Sequence, residues 1–278
     1  MRIAVLSVIC VIGFCIAGCG GAEQIGAPEI TSATMGTTSV TVFWRAETEI
    51  ESHADFQGYN VYVSTDSTEL LVDDGEELNK YNASVITDTM FEIRNLNTQH
   101  LYYIQIRTLN TDDKVGAYNA NVPFVTASPR PVFAAKLMFQ LNDTGVDDSC
   151  AIRFKDAFIT SDSLMAIDSA DMWADYGGTA PNDTVMFKTP RGHFQYGGMS
   201  ARETYFVNVG QYDLDEVTEV IEEPSEFTVA VVAGDLILAK TEDGHYVKIH
   251  VDAVDVTDST VTFTYAYQDV ANFPKLSP

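Results

Sequence analysis

From Pro28 onward, apolar residues alternate with polar ones along most of this chain, and no stretch shows the spacing of an amphipathic helix. Residues 38–44 illustrate the pattern by placing Val40, Val42 and Trp44 on one face of an extended segment. Side chains in a strand point alternately to opposite faces, so a period of two predicts half-buried strands. Polar turns separate the alternating segments. The chain is therefore predicted to be all-β and antiparallel.

Three motifs in the first half of the chain follow one another in a specific order. Trp44 closes the second predicted strand, residues 58–62 (Gly-Tyr-Asn-Val-Tyr) form the third, and residues 96–102 match a Leu-x-Pro-x-x-x-Tyr corner. This series resembles the fibronectin type III family, an immunoglobulin-like sandwich of about 100 residues. The resemblance implies that Tyr102 packs its ring in the core and hydrogen-bonds its hydroxyl to backbone just upstream. Thr98 departs from the family, which often has proline there.

The Ser-Pro-Arg-Pro segment at residues 128–131 predicts a boundary between two domains. Proline cannot continue a strand ladder, and two prolines in four residues stiffen the chain. We therefore expect a fibronectin type III domain over residues 28–128, a linker at 129–131 and a second antiparallel β domain over 132–278.

The second domain is predicted to end in a three-stranded meander with one face buried. Residues 241–244 (Thr-Glu-Asp-Gly) favour a tight turn, because Asp-Gly suits positive φ angles. The next strand alternates, with Val247 and Ala253 expected inward and Lys248 and His250 outward. This stretch is faintly similar to the closing meander of HmuY-like bacterial lipoproteins. The haem-binding histidines of that family have no counterparts here, so the resemblance does not imply haem.

The N-terminus has the anatomy of an export signal. A basic start at Arg2 is followed by an apolar run over residues 3–14 and the exit Ile-Ala-Gly-Cys, ending at Cys19. The exit resembles a bacterial lipobox, which implies a signal peptide at 1–18, lipidation of Cys19 and a tether at 19–27. The implied location is the cell envelope, at the outer membrane or cell surface. A transmembrane helix is disfavoured because spanning takes about 20 apolar residues; an ordinary cleaved signal with a chance cysteine is the alternative.

The net charge of the chain excludes some classes of partner. Forty acidic residues face 16 basic ones, for a net charge of −24. Such a chain repels nucleic acid and anionic headgroups, so we expect no nucleic-acid partner and membrane contact through the lipid alone.

Cys150 is the only cysteine after Cys19. It begins an apolar alternation and is expected to be a buried small hydrophobic residue rather than a catalytic thiol.

Sequence motifs for catalysis and for metal binding are absent. The chain has no His-Glu-x-x-His, phosphate-binding loop, Gly-x-Ser-x-Gly or Cys-x-x-Cys, so we expect no enzymatic activity. His245 and His250 are five residues apart and would point to opposite faces of a strand. No metal or cofactor is expected; calcium at the acidic turns 73–77 and 142–148 is the alternative, because carboxylates are its ligands.

Aromatic residues beside Gly-Gly pairs are the candidate binding residues: Trp173, Tyr176, His193, Phe194 and Tyr196. Aromatic faces with polar edges suit carbohydrate or protein surfaces. Alternatively, these residues cap one end of a sandwich. The sequence thus predicts a lipid-anchored, non-enzymatic binding or adhesion protein with an unidentified protein or carbohydrate ligand. The alternatives are a lipoprotein that captures a haem-like or other small cofactor, and an accessory carbohydrate-binding subunit.

Overall fold

The computed structural model describes residues 25–72, 75, 78–139, 149–177, 184–192 and 201–276. Within these ranges every strand pair is antiparallel. The helical segments are short: Thr48–Glu51 is α-helical, and Ser67–Leu70, Phe154–Asp156 and Pro190–Gly192 are 3-10 turns. The predicted all-β, antiparallel class is therefore confirmed. Over the same ranges, no helix has the length and apolar character needed to cross a membrane.

The predicted export signal lies outside the described residues. This applies to the signal peptide at 1–18, to Cys19 and to the tether as far as residue 24. Their assignment stays a prediction.

Six strands of the N-terminal half form a sandwich of two three-stranded sheets. They are β1 (Glu29–Met35), β2 (Val40–Arg45), β3 (Phe56–Ser64), β4 (Met90–Ile93), β5 (Tyr102–Asn110) and β6 (Val125–Ala127). One sheet has the order β1-β2-β4 and the other the order β3-β5-β6. The chain passes from one sheet to the other between β2 and β3, between β3 and β4, and between β4 and β5. The two layers enclose a core between them.

The core of this first sandwich contains the residues that the alternation predicted. Val40 and Val42 are fully buried, and Trp44 is 3% exposed, with its ring packed edge-on against Tyr59. The tyrosine corner is also confirmed, because the backbone N–H of Asn97 donates to the Tyr102 hydroxyl over 2.9 Å. This bond fixes the chain where it enters β5.

Ten strands of the C-terminal half form a larger sandwich. They are β7 (Val132–Met138), β8 (Ala151–Arg153), β9 (Phe158–Thr160), β10 (Met172–Gly177), β11 (Thr184–Lys188), β12 (Thr204–Gln211), β13 (Thr228–Val231), β14 (Asp235–Thr241), β15 (Tyr246–Asp255) and β16 (Thr260–Tyr267). One five-stranded sheet has the order β13-β11-β10-β8-β9 and the other β12-β14-β15-β16-β7. Their inner faces enclose a second core.

The C-terminal meander follows its predicted alternation up to a bulge in β15. Val247 is buried as expected, and Gly244 takes the positive φ of 85° that its turn requires. The pairing of β15 with β16 then shifts register between Val251 and Ala253. A bulge changes which side chains face inward. Val254 packs on the core in place of Ala253, which was wrongly expected there.

The two sandwiches share a bonded junction. Thr98, in the turn before β5, donates its hydroxyl to Asp269 over 2.7 Å. Phe273, beyond β16, is 9% exposed and belongs to the core of the first sandwich. Between the sandwiches, Arg130 is buried, and its backbone N–H donates to the carbonyl of Gly36 over 2.8 Å. The segment after the last strand therefore docks on the first sandwich.

Lys248 does not face solvent as its position in the alternation predicted. Its side chain is 0% exposed, and its ammonium donates to the carbonyls of Val217 and Leu276 over 2.6 and 2.8 Å. The loop before β13 and the C-terminal segment cover this part of the outer sheet face with an additional apolar cluster. The prediction failed because alternation identifies two faces but not what covers them.

Candidate binding site

A polar cavity of about 420 Å³ opens where the two sandwiches meet, and we call it the junction pocket. Its size falls in the range of small-ligand sites, and clefts between domains are favoured places for them. Both sandwiches line it, with these residues: Gln99, Arg153, Lys155, Ser169, Asp171, Arg202, Asp243, His245, Tyr267 and Asp269.

A shared arginine forms the centre of the junction pocket. Arg202 donates from Nε to Asp171 over 2.8 Å and from Nη2 to Asp243 over 2.6 Å. The Asp171 side chain is only 4% exposed, whereas that of Asp243 is mostly exposed. Burial raises the pKa of the Asp171 carboxyl, against the opposing effect of the Arg202 charge. Asp171 is thus held in place as an acceptor deep in the pocket.

Local backbone structure positions the buried carboxylate. Asp171 lies just before β10, and its second oxygen accepts the N–H of Phe154 over 2.9 Å. Phe154 begins the 3-10 turn that follows β8, and its side chain is buried in the second core. On the rim beside it, Arg153 forms a two-point ion pair with Asp156, at 2.9 and 2.7 Å.

One wall of the junction pocket is aromatic. The His245 ring lies 5.3 Å from the Tyr267 ring, tilted by 31°. His245 Nδ1 is 3.1 Å from the carbonyl of Gln268. Because a carbonyl can only accept, the proton in this contact belongs to Nδ1. The tight turn at residues 241–244 places both His245 and Asp243 on this side of the second sandwich.

The first sandwich contributes the opposite rim. Gln99 is exposed there, in the same turn as Thr98. Since Thr98 bonds Asp269, this turn is fixed relative to the second sandwich. The pocket is therefore built from groups whose relative positions are set by hydrogen bonds.

The structure does not bring Trp173 and Tyr176 together. Trp173 lies on the outer face of β10, where its Nε1 donates to the Thr189 carbonyl over 3.2 Å. Tyr176 is on the inner face, stacked on Phe139 at 5.6 Å. Residues three apart in a strand point to opposite sides. Binding by these residues, and the alternative that they cap one end of the sandwich, both stay predictions.

The remaining predicted ligand-binding residues are outside the described part of the chain. They are His193, Phe194 and Tyr196, together with the turn at 142–148 and all of the turn at 73–77 except Gly75. Among the residues that the structure does describe, no group of three or more His, Cys, Asp or Glu could hold a metal ion. Cys150 is fully buried, as predicted.

Sequence reasoning missed the residues at the centre of the junction pocket. Asp171 and Asp243 are 31 and 41 positions from Arg202 and carry no motif that links them. The one available signal was the Asp-Gly turn, which predicted that Asp243 would lie at a hairpin tip. A buried aspartate next to a strand cannot be distinguished from an exposed one by spacing alone.

Two other cavities are more open to solvent. One of about 610 Å³ lies beside the same turn, and its lining includes the acidic residues Glu203, Glu223 and Glu242. The other, of about 690 Å³, runs between the edge strands β1 and β6 and reaches Lys275. Neither contains a buried ionic group like Asp171. The junction pocket is therefore the candidate site.

Comparisons with known proteins yield no family. No family model matches the chain, and no curated protein matches it. The chain is similar to the FN5 domain of Drosophila Lar, at 20% identity, 38% coverage of this chain, 96% coverage of that chain and a TM-score of 0.26. It is also similar to a cycloalternan-degrading enzyme from Trueperella pyogenes, at 10% identity over 88% of this chain and 32% of that chain, with a TM-score of 0.26. Neither TM-score supports an argument about fold or activity.

Proposed function

We propose that this protein is a lipid-anchored binding or adhesion protein of the cell envelope, without catalytic activity. In this proposal the first sandwich acts as a spacer and the second engages a partner through the junction pocket. The observation that supports it best is the bonded junction, in which Thr98 and Phe273 tie the two sandwiches together around the pocket. A site with fixed geometry loses less conformational freedom on binding.

Membership of residues 28–128 in the fibronectin type III family is part of the proposal. The strand orders of the two sheets, the buried Trp44 and the tyrosine corner at Tyr102 support it. Domains of this architecture serve many functions, so the family assignment alone does not establish the spacer role. The spacer role also depends on the binding site being in the second sandwich.

The proposed anchor is a lipid on Cys19, at the outer membrane or cell surface. Metabolic labelling with an alkyne fatty acid tests it in cells that produce the wild-type chain or Cys19→Ser. We expect the label on the wild type only, with Cys150→Ser as a control that keeps it. An unlabelled wild-type chain would refute the anchor.

Binding is tested with the anchored protein at the surface of cells. We expect these cells to adhere to a partner surface (other cells or extracellular matrix) more than cells that produce a Cys19→Ser chain, which lacks the anchor. If the anchored protein neither promotes adhesion nor retains a partner in a pull-down, the proposed function is wrong.

A further inference from the structure

We propose that the junction pocket binds a neutral saccharide through the hydroxyl groups of its sugar rings. This inference rests on the proposed binding function and names the ligand class for the same site. It depends on three properties of the pocket: equal numbers of basic and acidic residues, hydrogen-bond donors and acceptors that can serve a ligand, and an aromatic wall.

Charge inside the junction pocket is balanced, although the chain as a whole is strongly acidic. Three basic residues line it (Arg153, Lys155 and Arg202), and three acidic residues face them (Asp171, Asp243 and Asp269). Arg202 already bridges two carboxylates, and Arg153 pairs with Asp156. A charged ligand that displaced Arg202 from Asp171 would leave a carboxylate that is only 4% exposed without its partner, which is costly. The pocket therefore favours a ligand without net charge.

The paired ionic groups still have hydrogen-bonding positions to offer. The bonds described above engage Nε and Nη2 of Arg202, whose guanidinium carries five N–H donors, and the mostly exposed Asp243 carboxylate has about four acceptor sites. Gln99 adds an amide, with one acceptor and two donor hydrogens, at the rim. A hydroxyl group donates and accepts at once, so a ring bearing several hydroxyls matches a surface on which donors and acceptors alternate. An apolar ligand would leave these groups unsatisfied.

The aromatic wall suits the less polar face of a sugar ring. His245 is partly exposed in the pocket and is backed by Tyr267, which is 5% exposed. Aromatic rings present an apolar face beside polar edges. A sugar ring can pack its C–H groups on the imidazole while its hydroxyls bond the more exposed groups, Arg202 and Asp243.

Binding of the full chain to immobilised neutral oligosaccharides tests the inference. The panel includes acidic oligosaccharides, and soluble phosphate and glycine betaine are added as charged and zwitterionic competitors. We expect the wild type to retain at least one neutral oligosaccharide and neither competitor to displace it. His245→Ala and the exposed pair Gln99→Ala/Lys155→Ala should each weaken binding about tenfold or more, as expected for the loss of contacts to ligand.

Matched control variants show whether a loss of saccharide binding comes from the pocket or from a general effect of substitution. His250→Ala removes a histidine from the outer sheet face of β15, the strand that follows His245, and Lys136→Ala removes an exposed lysine from β7. Both should bind like the wild type. Pocket variants that bind as tightly as the controls overturn the inference, as does retention of acidic oligosaccharides alone or displacement by phosphate or betaine. If pocket variants that no longer bind saccharide still promote adhesion as the wild type does, adhesion does not depend on the saccharide site. If the wild type binds no saccharide but the pocket variants lose adhesion, the proposed function holds and only the saccharide inference is refuted.

Discussion

The hydroxyl of Thr98 in the first sandwich donates to the carboxylate of Asp269 in the second, over 2.7 Å and 171 positions of the chain. Thr98 occupies the position where fibronectin type III domains often have proline. Proline has no hydroxyl and could not make this bond. Thr98 therefore has a structural role at the junction.

Thr98→Ala should lower the free energy of unfolding by about 1 to 2 kcal/mol, because a partly buried carboxylate loses a hydrogen bond. Thr98→Ser keeps the hydroxyl and should remain close to the wild type. Urea denaturation of the full chain measures both. Equal losses in the two variants would show that the threonine methyl group, and not the hydroxyl, is what matters.

Tyr102→Phe should lower the free energy of unfolding by about 1 kcal/mol, since the N–H of Asn97 loses its acceptor. Tyr103→Phe is the matched control on the adjacent residue of β5, whose ring packs on Phe124. Thermal denaturation compares the two variants. A stable Tyr102→Phe variant would argue against a contribution of the corner to stability.

Arg202→Met should cost about 3 kcal/mol at neutral pH, because it leaves the Asp171 carboxylate buried without its cation. The unfolded chain loses the Asp171 proton near pH 4. The folded variant, with the pKa of Asp171 raised further, loses it at higher pH. Between these values the folded state binds more protons, so the stability of the variant should fall as pH rises.

The double variant Asp171→Asn/Arg202→Met should recover part of the loss and much of the pH dependence. Arg45→Met breaks an exposed ion pair with Glu29 and should cost less than 1 kcal/mol. Denaturant titrations from pH 4 to 8 provide the comparison. A loss in Arg202→Met no larger than that in Arg45→Met would contradict the role of Arg202 in compensating the buried charge.

Lys248 should make the protein more stable as pH rises from 7 to 9. Burial, aided by the positive charge of Arg130, lowers the pKa of Lys248 to about 7, whereas a lysine in an unfolded chain titrates near 10.4. Between these values the unfolded chain binds more protons, so the free energy of unfolding should increase by roughly 2 to 3 kcal/mol.

Lys248→Met should remove most of this increase, whatever its effect at a single pH, and Lys136→Met, at an exposed lysine, should retain it. Urea denaturation at pH 7, 8 and 9 measures the slope. A slope in Lys248→Met equal to that of the wild type would assign the pH dependence to another group.

Strand alternation predicted β2, β3 and the closing meander because it reports which face of a strand is buried. It placed Val42 and Val247 in the cores, and the corner motif identified Tyr102. It gave no information on the outer faces, so the burial of Lys248 was unexpected. The bulge after Val251 was also unpredicted, since one extra residue in a strand leaves no distinctive composition.

The junction pocket could not be predicted from the sequence, for a different reason. Asp171, Arg202 and Asp243 come together only when two loops and a hairpin tip pack at one end of the second sandwich. Local patterns do not encode such long-range contacts. The aromatic residues that local composition did highlight, Trp173 and Tyr176, instead pack on opposite faces of one strand.

The late position of Phe273 in the chain bears on how the protein folds while it is being synthesised. The first sandwich is assembled from strands that end at Ala127, yet its core includes a side chain that is translated much later. Domains in a growing chain generally fold as units, with the N-terminal one first. Here one core contact of the first sandwich can form only after residue 273 has been added, so we expect that sandwich to reach its full stability only once the second has been made.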